Sequence, residues 1–183
     1  MPKTLPRYDR VAIALHWAIA ISIILLGLTE LLRGEIFAKG SAPREFLKAL
    51  HEPIALLVFV LILARVAWRA SHHAPALPAS MTHWETLLAK LAHIALYALM
   101  LIVPILGLAT TYARGRGIDF GVLAIPPFGS GLPRPTARAI KQAHELASIA
   151  ILLLAGAHAA AGLYHHYVRG DDVMRRMLPR TRA

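Results

Sequence analysis

The chain contains no cysteine. That absence excludes disulfides, thiolate metal sites, iron–sulfur clusters and covalently attached c-type haem, so any metal chemistry must use nitrogen or oxygen ligands. Charge is scarce as well: 16% of the 183 residues are Asp, Glu, Lys or Arg, where a soluble domain has about 25%. Acidic residues are the scarcer sign, 10 against 20 Lys and Arg. With 57% hydrophobic residues and a mean hydropathy of +0.54, the chain falls into the membrane-embedded class. The positive excess would point to nucleic acid only if position were ignored. The basic residues lie between and beyond the apolar runs, where they meet lipid headgroups, and no nucleic-acid partner is expected.

Four apolar segments reach the roughly 20 residues that a helical crossing needs. They run over about 11–32, 46–68, 91–113 and 143–168. The expectation is one all-α domain over residues 1–183, an integral-membrane four-helix bundle with both termini on one side. Pro53 predicts an upstream start and a kink in the second helix, because a helix beginning there would have only 16 residues to Trp68, short for a crossing. Pro104 predicts a bend in the third. The connection from Ala74 to Ser80 is Pro-rich, and the longest, from Arg114 to Arg138, repeats Gly and Pro. The first apolar run exceeds a signal-peptide core and is read as an uncleaved span. The side holding the termini carries 11 Lys and Arg against 9 on the other, which predicts cytoplasmic termini.

Seven of the ten histidines fall inside or at the edges of these runs. An ionisable side chain in hydrocarbon is costly unless neutral or partnered, so each is a functional candidate. His144 and His158 lie 14 residues apart, about 21 Å along a helix and only about 40° around it. One face of the fourth helix therefore presents two imidazoles, one towards each membrane surface. By depth, His16 pairs with His158, and His51 pairs with His144. Zinc or copper wants more ligands than a pair, whereas haem brings four equatorial nitrogens and leaves two axial positions. Two non-covalent haems b are the expected cofactors, with His16, His51, His144 and His158 as iron ligands. Ala155, Gly156, Ala159 and Gly162 are expected to leave room for porphyrin faces. His93 competes for the inner position, though a hydrogen bond to a propionate or to a neighbouring helix is the favoured role. His165 and His166 read as an interfacial pair, with a proton relay as the sharper alternative.

Motifs along nearly the whole chain then converge: Arg10 before His16-Trp17, Leu50-His51, Arg65 with Trp68-Arg69, His93 and Tyr97 ahead of Pro104 and Gly107, and His144-Glu145. His158, His165-His166-Tyr167, Asp172 and Arg176-Met177-Leu178-Pro179 complete the set. In these the chain resembles the bacterial cytochrome b561 family of four-helix dihaem membrane proteins. It departs from the family where Glu52-Pro53-Ile54-Ala55 replaces the common Lys-Ser-Leu-Gly. The resemblance implies haem ligation by the same four histidines and a multi-pass protein of the bacterial inner membrane.

Two haems at different depths divide a crossing of about 30 Å into shorter electron transfers. The resemblance further implies an oxidoreductase that takes electrons from superoxide at the outer face and reduces ubiquinone. A basic rim would concentrate that anion, and Arg44, Lys48, Arg134, Arg138 and Lys141 are its candidates. The alternative is an electron-transfer subunit linking the quinone pool to a partner dehydrogenase or hydrogenase. More remote is a haem-free metal transporter or structural bundle.

Overall fold

The computed structural model describes residues 7–73, 75–76, 78, 81–119, 124–127 and 129–179; parts of the two Pro-rich connections thus lie outside the described residues. Helix α1 spans Arg10–Leu31 and runs on into a wider π-type turn, Leu32–Ile36. Helices α2 (Ala42–Ser71), α3 (His83–Ala113) and α4 (Arg134–Tyr167) follow. Between α3 and α4, β1 (Ile118–Asp119) and β2 (Ala124–Ile125) pair antiparallel, Ile118 opposite Ile125. All four helices are long and apolar enough to cross a membrane, and the molecule is an all-α membrane protein.

Why the helices start where they do can be read locally. Asp9 caps α1: its carboxylate accepts from Ala12 N at 2.8 Å and from the Trp68 indole at 3.1 Å, which ties the start of α1 to the end of α2. Thr82 and Glu85 form a reciprocal capping box at the start of α3. Prolines open α2 and α4 in the first turn, where their missing N–H costs no bond. Helices α3 and α4 thus begin eight and nine residues before their apolar runs, because a helix satisfies its own backbone and need not stop at the hydrocarbon edge. Pro53 lies inside α2, well after its start at Ala42, and Pro104 lies inside α3.

Helix α3 ends in a Schellman turn: Gly115 takes a left-handed φ of 62°, Arg116 N donates to Thr111 O, and Gly115 N donates to Tyr112 O. Gly131, at φ 84°, packs so near that an added Cβ would stand 2.7 Å from Gly115 N. These two glycines fold the long connection onto the end of the bundle.

Packing is uneven around the bundle. Helix α1 lies mainly against α2, and α3 against α4, with sparser contact between the two hairpins. The seam is closed at mid-depth by a buried cluster of Ile19, Val58, Ile62, Met100 and Ile151. Ile151 sits seven residues from both His144 and His158, so this apolar layer separates two histidine levels. Apolar side chains such as Ile24, Leu63, Ile94 and Leu153 face outward, which in a bundle of this kind is the lipid surface.

Beyond α4 the chain turns back under the end that holds the N-terminus. Trp17 Nε1 donates to Met177 O at 2.8 Å, Arg7 Nη2 to Leu178 O at 2.7 Å, and Arg176 to Ala76 O. Arg169 pairs with Glu85 at 3.2 Å. These bonds close that end of the bundle.

Candidate haem-binding site

The two histidine levels meet across the sparse seam. His16 of α1 faces His158 of α4 with ring centres 6.3 Å apart and planes at 77°. His51 of α2 faces His144 of α4 at 6.5 Å and 84°. An iron gripped by two imidazoles at the usual metal–nitrogen distance of about 2.0–2.1 Å puts the ring centres about 6.3 Å apart. Both pairs have that spacing, so the donor set and its geometry fit bis-histidine haem. His93 stands nearer to His158, at 5.4 Å, which is too close for an iron to lie between those two rings. Among the described residues no three His, Asp or Glu side chains gather into a metal site, so each imidazole pair suits a metal that brings its own equatorial ligands.

The His51–His144 pair is braced from behind. His144 Nδ1 donates to Val103 O at 3.0 Å, leaving Nε2 free to bind a metal. Gly107, one turn beyond Val103, makes room for that ring: a Cβ there would lie 3.2 Å from His144 Cε1. His51 Nδ1 is buried, has no aligned hydrogen bond, and lies 3.2 Å from Glu30 Oε1. Glu30 in turn binds the Arg33 guanidinium through both carboxylate oxygens. Glu30 was visible as one of two ionisable groups in the first apolar run, but nothing in the sequence aimed it at His51. The Val103 carbonyl left no sequence signal at all.

His51 and His144 line a cavity of about 1120 Å³, at the upper end of ligand-pocket sizes. Its rim holds Arg33, Lys48, Arg114, Arg116 and Lys141. Four of these have carboxylate partners: Arg33 with Glu30, Lys48 with Glu45 at 3.1 Å, Arg116 with Glu52 at 2.8 Å, and Lys141 with Glu145. Of the expected rim, Lys48 and Lys141 reach the cavity. Arg44 instead donates to the carbonyls of Arg33 and Phe37, holding the turn after α1, and Arg134 and Arg138 are exposed on the first turns of α4. Arg114 and Arg116 were missed because the fold of the long connection decides which of its cations reach the opening, and Arg33 because the π-type turn after α1 carries it there.

The His16–His158 pair has a different setting. Arg65 donates to Ala12 O at 2.9 Å and to the Tyr97 hydroxyl at 3.1 Å, joining α1, α2 and α3 beside His16. Further out, His165 is buried and its Nδ1 lies 2.6 Å from Asp171 Oδ2. Burial alone would raise the Asp171 carboxyl; the His165 hydrogen bond, the Val173 N–H and the charges of His165 and Arg169 outweigh it and hold the carboxyl below its ordinary 3.8. His166 Nδ1 is buried without a partner. On the α4 face that carries His144 and His158, Ala155 and Gly162 fall within about 20° of the His144 direction and Ala159 within about 60°, whereas Gly156 points about 120° away. Gly156 therefore makes no room on the histidine face.

A four-helix membrane bundle that presents facing imidazoles from different helices belongs to the class of membrane b-type cytochromes. The chain is a member of the prokaryotic cytochrome b561 family, whose model matches residues 7–180. It is 32% identical over 178 residues to cytochrome b561 homolog 1 of Escherichia coli strain K12, covering 96% of this chain and 99% of that protein. It is 29% identical over 181 residues to the probable superoxide oxidase CybB of Yersinia pestis, at 97% and 98% coverage. Cytochrome b562 of Cereibacter sphaeroides is 31% identical over 176 residues, at 94% and 96% coverage. The family is one of electron-transfer membrane proteins that carry haem b.

Proposed function

We propose that this protein is a dihaem superoxide oxidase that oxidises superoxide at the outer face and reduces ubiquinone. The observation that carries the reading is the pair of imidazole couples spaced for iron, 6.3 and 6.5 Å, at two depths of one bundle. His51 and His144 would hold the outer haem, His16 and His158 the inner. Haem bound there supplies reversible one-electron chemistry. Everything else is the work of this chain.

The rim cations raise the local concentration of a small anion at the cavity mouth. Arg114, exposed and without a side-chain partner among the described residues, is the cation free to do so. The apolar layer around Ile62 keeps water from the middle of the crossing. Each superoxide gives up one electron and leaves as oxygen; two electrons and two protons convert one ubiquinone to ubiquinol. The cavity-side loops face outward and the termini inward, as the Lys and Arg distribution favours. The probable superoxide oxidase name of one relative supports the donor, and the family supports the membrane setting.

The test is a steady superoxide flux onto the purified haem-loaded protein, read by absorption. The haem bands should reduce, the rate should fall as ionic strength rises from about 0.01 to 1 M and the Debye length shrinks from about 30 to 3 Å, and added ubiquinone should reoxidise them. A protein that stays oxidised under superoxide while a quinol reduces it readily would overturn this direction. That outcome would instead favour electron delivery from the quinone pool to a partner dehydrogenase or hydrogenase.

A further inference from the structure

We infer that Glu30 is a positioning residue for the outer haem, bracing His51 and setting that haem's reduction potential below the value it would otherwise have. The inference rests on the reading above that His51 and His144 hold a haem. Three observations carry it. Glu30 is the one carboxylate in the apolar length of α1, a placement that is costly without a purpose. Its Oε1 lies 3.2 Å from His51 Nδ1, a buried ring nitrogen with no other polar partner, and a small turn of the imidazole completes the bond. The Arg33 guanidinium holds the carboxylate from the other side, so Glu30 is fixed in place at the membrane edge as one half of an ion pair.

Two consequences follow from one contact. Accepting the Nδ1 proton fixes the tautomer and leaves Nε2 as the ligand nitrogen, the arrangement that outer-shell carboxylates impose on metal-bound histidines. The charge acts separately. The oxidised iron site carries one more positive charge than the reduced one, so a nearby carboxylate stabilises the oxidised form and lowers the potential. The inner pair lacks this device: among the described residues no carboxylate contacts His16 or His158, and the charged group beside them is the Arg65 cation. The opposite signs make electron flow from the outer level to the inner one the downhill direction.

The experiment is a spectroscopic redox titration of the haem-loaded protein and its Glu30→Gln variant, with haem stoichiometry on both. Glutamine keeps an oxygen for the Nδ1 proton and removes the charge. The expected result is two haems retained, with the reduction equilibrium of one of them about tenfold more favourable, an upward shift of about 59 mV for one electron, and the other unchanged. If the glutamine variant does not keep its second haem, Glu30→Asp is read instead; it retains the charge and should keep both haems at wild-type potentials. Unmoved potentials, equal shifts in both haems, or haem loss in the aspartate variant would each overturn the inference. A His51→Ala protein that still holds two low-spin haems would instead refute the ligand reading on which it stands, so the two failures are distinguishable.

Discussion

Replacing Gly107 with alanine should loosen one haem and leave the other alone. The added Cβ would stand 3.2 Å from His144 Cε1 and 3.6 Å from Nδ1, where unstrained carbon contacts are about 3.5–4.0 Å. The ring must therefore retreat by a few tenths of an ångström. It cannot do so freely, because Nδ1 is tethered to Val103 O at 3.0 Å on the same helix. Metal–ligand distances tolerate only about 0.2 Å, so the displacement falls on the iron–nitrogen bond. Alanine gains at most about 1 kcal/mol of helix propensity over glycine, and overpacking costs about 1–3 kcal/mol. The net sign is a loss, about tenfold in retention of the haem proposed at His51 and His144, or about 1.4 kcal/mol. Gly27→Ala is the control: its Cβ would come nominally closer, 2.8 Å, but to the tip of Leu152, a flexible chain that can rotate away. The assay is the rate of haem transfer from the purified protein to an excess of haem-scavenging apoprotein. Biphasic loss with one phase about tenfold faster in Gly107→Ala, and little change in Gly27→Ala, is the expected result. Wild-type kinetics in Gly107→Ala, or equal acceleration of both phases, would refute the reasoning.

Other outcomes follow from the same geometry. Alanine at His51 or His144 should remove one haem and alanine at His16 or His158 the other, whereas His93→Ala should keep both, as stoichiometry by reduced-minus-oxidised spectroscopy will read. Asp171 titrates below its ordinary value, so the stability it gives is full above pH 3.8 and is lost as pH falls through its lower folded value. Asp171→Asn should lower the melting temperature near neutral pH and flatten its decline in acid; an unchanged acid limb would count against the His165 contact. Asp9→Ala removes the cap of α1 and the Trp68 bond, and should cost about 0.5–2 kcal/mol, measured by thermal unfolding in detergent, with haem content unchanged.

Much of this arrangement was legible from spacing alone. A crossing needs about 20 apolar residues, and four such runs are present, so the helix count was never in doubt. The 14-residue interval between His144 and His158 fixed both depth and face through helical periodicity, which is why the pairing with His16 and His51 could be read before any coordinates. Where spacing was not applied, the reading failed. Gly156 was grouped with its neighbours as a small residue, yet the same 100° rule turns it away from the histidine face.

What stayed illegible depends on tertiary contact between elements that no local pattern links. The brace on His144 is a backbone carbonyl, which every residue possesses, and the brace on His51 is a glutamate 21 positions away on another helix. The rim was misjudged for a related reason: proximity to the outer surface was taken as access to the cavity, but two left-handed glycines fold the long connection so that Arg114 and Arg116 reach the opening. Arg44, nominally as well placed, is consumed by two carbonyls at the turn after α1.

The two levels also differ in a way that bears on function. The His51 and His144 imidazoles have their back nitrogens against a carboxylate and a carbonyl, in a cation-rimmed cavity of about 1120 Å³. The His16–His158 pair sits beside Arg65 and beneath a returning C-terminal segment, fastened by Trp17, Arg7 and Asp171. On the proposed reading, an opening for a small charged reactant at one level and the Arg65 cation beside the other favour electron passage from the first level to the second. On that reading, reactant access would be set by the loops at the cavity mouth and direction by the sign of the charge nearest each imidazole pair, so substitutions in those loops should change rates with superoxide, while those at Glu30 and Arg65 should change potentials.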